Sequence, residues 1–141
     1  MAPRDRTPLF NMLKLFAIKY LSKLYILHNL YFKHRYYIKR KTYSDSGEDL
    51  YILNNLGKKG FYVDVGCHHP TRLNNCHLLY LNGWNGVNID PSEISIKIFD
   101  FARKKDINIC SAVSLKKGFV DFYYDKPLSL YNSLVKNKDL K

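Results

Sequence analysis

Gly60-Phe61-Tyr62-Val63-Asp64-Val65-Gly66-Cys67-His68-His69-Pro70 is the stretch that decides the fold. Its first half is a short apolar run with β-branched residues. Such a run, bounded by glycines, predicts a strand over 60–66 covered on both faces, as in a parallel sheet. Gly66 predicts the turn that ends it, because a residue without Cβ lets the backbone bend sharply and come close to a ligand.

Working outward, Gly86-Val87-Asn88-Ile89-Asp90 reads as a second strand stopped by Pro91, and Ile107 to Val113 as a third. Gly118 to Tyr124 alternates well enough for a fourth strand or one arm of a hairpin. Between the strands lie helical patterns. Ser46-Gly47-Glu48-Asp49 is a capping signal that opens a helix at 47–56, with an apolar stripe at Leu50, Leu53 and Leu56 and Gly57 at its end. Pro70 and Thr71 suit the start of a helix whose stripe is Leu73, Leu78, Leu79 and Leu81, closed by Asn82-Gly83. Residues 92–104 form the next helix. Helices alternating with strands predict an α/β layout around a parallel sheet.

In such sheets ligands bind beyond the carboxyl ends of the strands. Two features sit at those ends: Asp64-Val65-Gly66-Cys67, and Asp90, which follows Gly66 by 24 residues. A carboxylate at the end of the second strand can accept both ribose hydroxyls of a nucleoside. The full G-x-G-x-x-G is absent, since Cys67, His68, His69 and Pro70 follow Gly66. That disfavours a pyrophosphate-bearing dinucleotide, which needs close backbone approach at several points. S-adenosylmethionine carries no phosphate and tolerates a bulkier loop.

Three segments together resemble the FkbM family of methyltransferases. They are Tyr43-Ser44-Asp45-Ser46-Gly47-Glu48-Asp49-Leu50, then Gly60 to Pro70, then Asn82-Gly83-Trp84-Asn85-Gly86-Val87-Asn88-Ile89-Asp90-Pro91. Ile107 to Ser114, Gly118 and Phe122-Tyr123 continue the likeness, which covers roughly residues 43–135. The resemblance implies a Rossmann-like class I methyltransferase fold and methyl transfer from S-adenosylmethionine, usually to an oxygen. It implies that Asp64 and Gly66 form the first cofactor motif, that Asp90 is the ribose ligand, and that Glu48 lies near the cofactor from the preceding helix. Cys67, in the same cofactor-binding loop, stands where a small residue such as alanine is common, and Asp45 where glutamine is common. Family members continue with a strand bearing Lys-x-Asp and Glu-Gly, and nothing after Tyr124 supplies these. The expectation is therefore a truncated domain, incomplete and inactive as given. The alternative is a noncatalytic remnant or binding module with a membrane-surface arm. The methyl acceptor, a sugar or another small molecule, and the catalytic residues are not readable.

Charge divides the chain. Residues 1–43 hold ten basic residues and one acid, Asp5; residues 44–141 hold thirteen basic and eleven acidic residues. The basicity thus belongs to a helical arm, residues 1–42, ahead of the partial domain at 43–141. Residues 9–38 contain no Gly or Pro, and Asn11, Lys14, Lys19, Ser22, Lys23, Asn29 and Lys33 fall on about half the circumference of a helical wheel. Lys14, Lys19 and Lys23 interrupt the apolar run, so it lacks the ~20 apolar residues of a span. Two readings stand: a basic amphipathic helix packed on the domain, or an interfacial helix on an anionic membrane through residues 9–41. No nucleic-acid module is recognisable at His34 to Lys41, and no specific nucleic acid is expected.

Cys67, Cys76 and Cys110 form no tight pair, which fits a reducing compartment without a disulfide framework; the expected location is cytoplasmic, peripheral at the membrane through the basic arm. A zinc site from Cys67, His68, His69, Cys76 and His77 is disfavoured, because no C-x-x-C exists and the ligands would have to converge from a loop and a helix. No metal is expected. His68 and His69 read as shaping the loop, Trp84 as packing, and Arg103-Lys104-Lys105 as a solvated helix end.

Overall fold

A computed structural model describes residues 22–136. The chain divides into two compact units between Arg35 and Tyr36. In the first, α1 spans Ser22–Leu27 and runs into a π-helical stretch, His28–Lys33; Asn29 there donates to the carbonyl of Tyr25 at 2.8 Å. The helix expected over 9–38 is thus helical from Ser22 to Lys33, and its portion before Ser22 lies outside the described residues. Among the described residues no helix is long and apolar enough to cross a membrane.

The second unit is α/β. Its helices are α2 (Glu48–Leu56), α3 (His77–Leu81) and α4 (Glu93–Ala102); its strands are β1 (Phe61–Val65), β2 (Asn85–Asp90) and β3 (Ile107–Cys110). The three strands form one parallel sheet in the order β1-β2-β3, with Asp64 beside Asn88 and Asp90 beside Cys110. Tyr62 packs with Leu79 of α3, and Asn108 donates to Asp100 of α4, so both connecting helices lie over the same sheet face. That face carries Tyr62, Asp64, Gly86, Asn88 and Asp90, whose alternation follows from the two-residue period of a strand.

The opposite face corrects the expectation of a sheet covered on both sides. Phe61, Val63, Val65 and Ile107 are 58–60 % exposed and Ile109 is 41 % exposed. Apolarity, read locally, marked β1 as buried on two faces, yet only its polar-bearing face is covered.

Other elements are shorter than the patterns suggested. The helix read from Pro70 is confined to His77–Leu81. The His69 imidazole Nδ1 accepts from the Thr71 and Arg72 backbone N–H groups at 3.2 and 3.1 Å, Asn74 N–H donates to the Tyr43 carbonyl, and Leu73 has φ 49°. Those N–H groups are diverted before a helical ladder can form. The third strand ends at Cys110 rather than Val113. The fourth is a single antiparallel bridge, Tyr123 to Ser133, which keeps only the hairpin reading.

The cap of α2 also differs. Gly47, with φ 90°, occupies the N-cap and Ser46 makes no side-chain cap. Ser44 Oγ accepts from Gly47 N–H at 3.0 Å. Asp49, fully buried, accepts from Tyr43 N–H at 2.7 Å, Ser44 Oγ at 2.8 Å, Leu50 N–H at 2.9 Å and Thr42 Oγ1 at 2.5 Å. Burial alone would raise this carboxyl; the bonds from Thr42, Tyr43, Ser44 and Leu50 outweigh it and hold the pKa below the ordinary range. Anchoring Asp49 turns Ile52 and Leu53 inward and leaves Leu50 and Leu56 exposed, so the stripe read from the leucines is rotated.

Arg103 is the largest correction. It ends α4 but is 1 % exposed, not solvated. Its guanidinium donates to the Tyr62 hydroxyl at 3.0 Å, the Pro70 carbonyl at 2.6 Å and Asn74 Oδ1 at 2.6 Å, and lies 3.9 Å from Asp106. Asp106 accepts in turn from the Tyr62 hydroxyl, from Gly86 N–H at 3.0 Å and from Asn88 Nδ2 at 2.9 Å. Burial raises the Tyr62 pKa despite the nearby guanidinium, so the phenol stays protonated and can donate. Trp84 packs as expected, buried against Tyr62 and Leu79 with its indole N–H on the Gly57 carbonyl at 3.2 Å.

Candidate functional site

β1 ends in Gly66, whose φ of 75° turns the chain back over the end of β2. Gly66 and Cys67 N–H groups both donate to the Ile89 carbonyl, at 2.8 and 3.2 Å. His68 follows with φ 52°, an uncommon conformation for a residue with Cβ. It aims the His68 N–H at Asp90 Oδ2, 2.9 Å away. Asp90 Oδ1 accepts from Ser92 N–H at 2.8 Å, and Ser92 Oγ caps α4 by accepting from Ser95 N–H. The ends of β1, β2 and the start of α4 are thus tied to one carboxylate.

Above this carboxylate lies a cleft of about 450 Å³. One wall is Gly66, His68 and Asp90; another is Ser111 to Val113 after β3; the third is Phe122 with Ser129 to Val135 around the hairpin bridge. The last two walls were not read from the sequence. Nothing in the periodicity after Tyr124 signals that Ser133 folds back to Tyr123, a pairing held by N–H···O bonds of 2.8 and 3.0 Å.

The sequence-derived residues separate into two groups. Gly66 and Asp90 line the cleft. Asp64, Cys67 and Glu48 do not. Asp64 accepts from Asn74 Nδ2 at 2.9 Å, and burial raises its carboxyl pKa although Asn74 and Arg103 oppose the shift. Cys67 packs its thiol with Ile96 and Phe99, and burial with the charges of Asp90 and Asp64 pushes the thiol up, so it is no thiolate nucleophile. Glu48 is exposed and accepts from Ser46 N–H at 2.9 Å, which with its own backbone N–H lowers its pKa. Asn74 was missed: it links Asp64, the Cys67 carbonyl at 3.2 Å and Arg103, holding the loop from below.

The two histidines have different roles. His69 is buried and caps the turn after the loop through Nδ1. His68 lines the cleft, and burial plus the charge of Arg72 lower its pKa against the pull of Asp90, so the ring is neutral at physiological pH. Among the described residues no group of three or more His, Cys, Asp or Glu side chains could hold a metal ion.

No family model matches the chain, and neither does any curated protein or solved structure.

Proposed function

We propose that this cleft binds S-adenosylmethionine and that the α/β unit is the cofactor-binding half of a Rossmann-like methyltransferase acting on an oxygen acceptor. The observation that carries this reading is the closure of the Gly66–His68 turn onto Asp90. A carboxylate has about four lone-pair positions. Two on Asp90 are used by the His68 and Ser92 N–H groups, which leaves each oxygen able to accept a ribose hydroxyl. The free acceptor positions of Asp90 therefore fit the hydroxyls of a nucleoside, and the volume lies within the roughly 300–1,000 Å³ of small-molecule sites. The sequential order β1-β2-β3 is compatible with one half of a doubly wound sheet, and the resemblance of the Asp64 and Asp90 segments to FkbM methyltransferases points the same way.

When bound, S-adenosylmethionine supplies an electrophilic methyl group on a sulfonium. Gly66 lets the backbone approach the ligand without a Cβ in the way. Asp90 holds the ribose, and a neutral His68 adds no positive charge beside the sulfonium. Asp64 and Cys67 act from beneath, by keeping the loop in shape through Asn74.

The test is calorimetric titration of the protein and its Asp90→Ala variant with S-adenosylmethionine and S-adenosylhomocysteine. Losing hydrogen bonds to a charged acceptor costs about 1.5–3 kcal/mol, roughly ten- to a hundredfold in affinity. Equal affinity in both proteins removes Asp90 from the site; no binding to the parent rejects the reading.

A further inference from the structure

We infer that residues 22–35 of the first compact unit and residues 36–41 of the second each carry a docking surface for an anionic lipid bilayer. From Arg6 to Ser44 the chain contains no Asp or Glu and nine Lys or Arg. Nothing in that stretch repels an anionic surface. Ile26 and Leu30 are buried, but several other large apolar side chains of residues 22–41 are in water. Leu24, Tyr31 and Phe32 are exposed in the first compact unit, Phe32 at 70 %. Tyr36 and Ile38 are exposed in the second, Tyr36 at 69 %. The Arg40 guanidinium lies 4.5 Å from the Tyr36 ring centre and 5.2 Å from that of Tyr37, and the two rings meet edge to face. Cation and aromatic surface are one patch there, with the amphipathic character that places tyrosines at the headgroup level of a membrane.

Charge and apolar contact are separate contributions, and attachment of a peptide segment to a bilayer surface strengthens with both. A nucleic acid would use the cations and some of the rings, but Leu24 and Ile38 gain nothing from phosphates or stacked bases. They gain by leaving water for the acyl boundary. This separates the bilayer from a polyanion of equal charge.

The experiment is cosedimentation of the full chain with phosphatidylcholine vesicles, with and without phosphatidylserine, across a salt series. Two variants accompany it: one with Arg35, Lys39, Arg40 and Lys41 changed to Gln, and one with Phe32→Ser and Ile38→Ser. Thermal melts confirm that each folds like the parent. A basic residue at such a surface is worth about fivefold in partitioning. The parent is expected to bind phosphatidylserine vesicles at least about tenfold more tightly than neutral ones, and less as salt screens the charges. The Gln variant should lose that preference. The Ser variant should bind both vesicle types more weakly while keeping the salt dependence. Equal binding to both vesicle types overturns the inference, as does no binding to either, or binding to single-stranded RNA with none to vesicles. If a variant fails to fold, the parent's lipid preference and salt series decide alone.

Discussion

Arg103 Nη1 donates to the Tyr62 hydroxyl at 3.0 Å across 41 residues of sequence, joining the end of α4 to the middle of β1. The same guanidinium reaches the Pro70 carbonyl and Asn74, which in turn holds Asp64 and the Cys67 carbonyl. The candidate site is therefore supported by a buried polar network instead of a purely apolar core. Removing one member of such a network leaves its buried partners unpaired, which is costly at low dielectric. Arg103 suits the position because its planar fork offers several fixed donors at once.

Arg103→Met should therefore be strongly destabilising, by roughly 3–5 kcal/mol, because it leaves Asp106 and Asn74 buried without their partner. Arg103→Lys should not restore the loss, since one ammonium cannot reach Tyr62, Pro70 and Asn74 together. Urea unfolding of the three proteins measures this. A Lys variant as stable as the parent would show that charge, not the fork, is what counts.

His77 packs edge-on against Tyr43, ring centres 4.3 Å apart, and burial followed by the Arg103 charge lowers its pKa to about 3. From about 6.5 down to about 3 the unfolded chain binds a proton that the folded chain does not. Stability therefore rises with pH through that window and is lost as pH falls through it, at up to about 1.4 kcal/mol per pH unit. Between about pH 7 and pH 5 a loss of roughly 1–2 kcal/mol is expected from urea midpoints. His77→Gln should flatten the slope; an unchanged slope assigns the effect elsewhere.

Gly86 and Gly66 should respond differently to alanine. At Gly86 a Cβ would overlap the Tyr62 carbonyl oxygen and ring, inside the sheet. At Gly66 a Cβ meets nothing within 4 Å, so the cost is only the left-handed conformation, about 1–2 kcal/mol. Thermal melts should rank Gly86→Ala well below Gly66→Ala, while Gly66→Ala should weaken S-adenosylmethionine binding more than its stability loss explains. The reverse ranking of melts would contradict the close approach of β2 to β1.

The bare sheet face carries Phe61, Val63, Val65, Ile107 and Ile109 without a charge among them. A contiguous apolar surface of this kind promotes association. The chain should associate in a concentration-dependent way in sedimentation velocity, and Val63→Lys with Ile109→Lys should reduce it while sparing the Tyr62 side of the sheet. Undiminished association would place its source on another surface.

Local pattern alone was enough for three strands of a parallel sheet, a glycine turn after β1 and a carboxylate at the end of β2. Each depends on neighbours in sequence: alternation, β-branching, and the freedom of Gly66 to take φ 75°. Tertiary structure decided the rest. Arg103 reads as a solvated helix end because its partners, Tyr62 and Pro70, are 41 and 33 residues away. Leu73 fits a helical stripe, yet the His69 ring and the Tyr43 carbonyl claim the N–H groups around it. Asp64 looks like a cleft residue, but Asn74 draws it beneath the loop. Hydrogen bonds to buried groups are strong wherever the partner comes from, and the partner's position in space is not encoded in spacing along the chain.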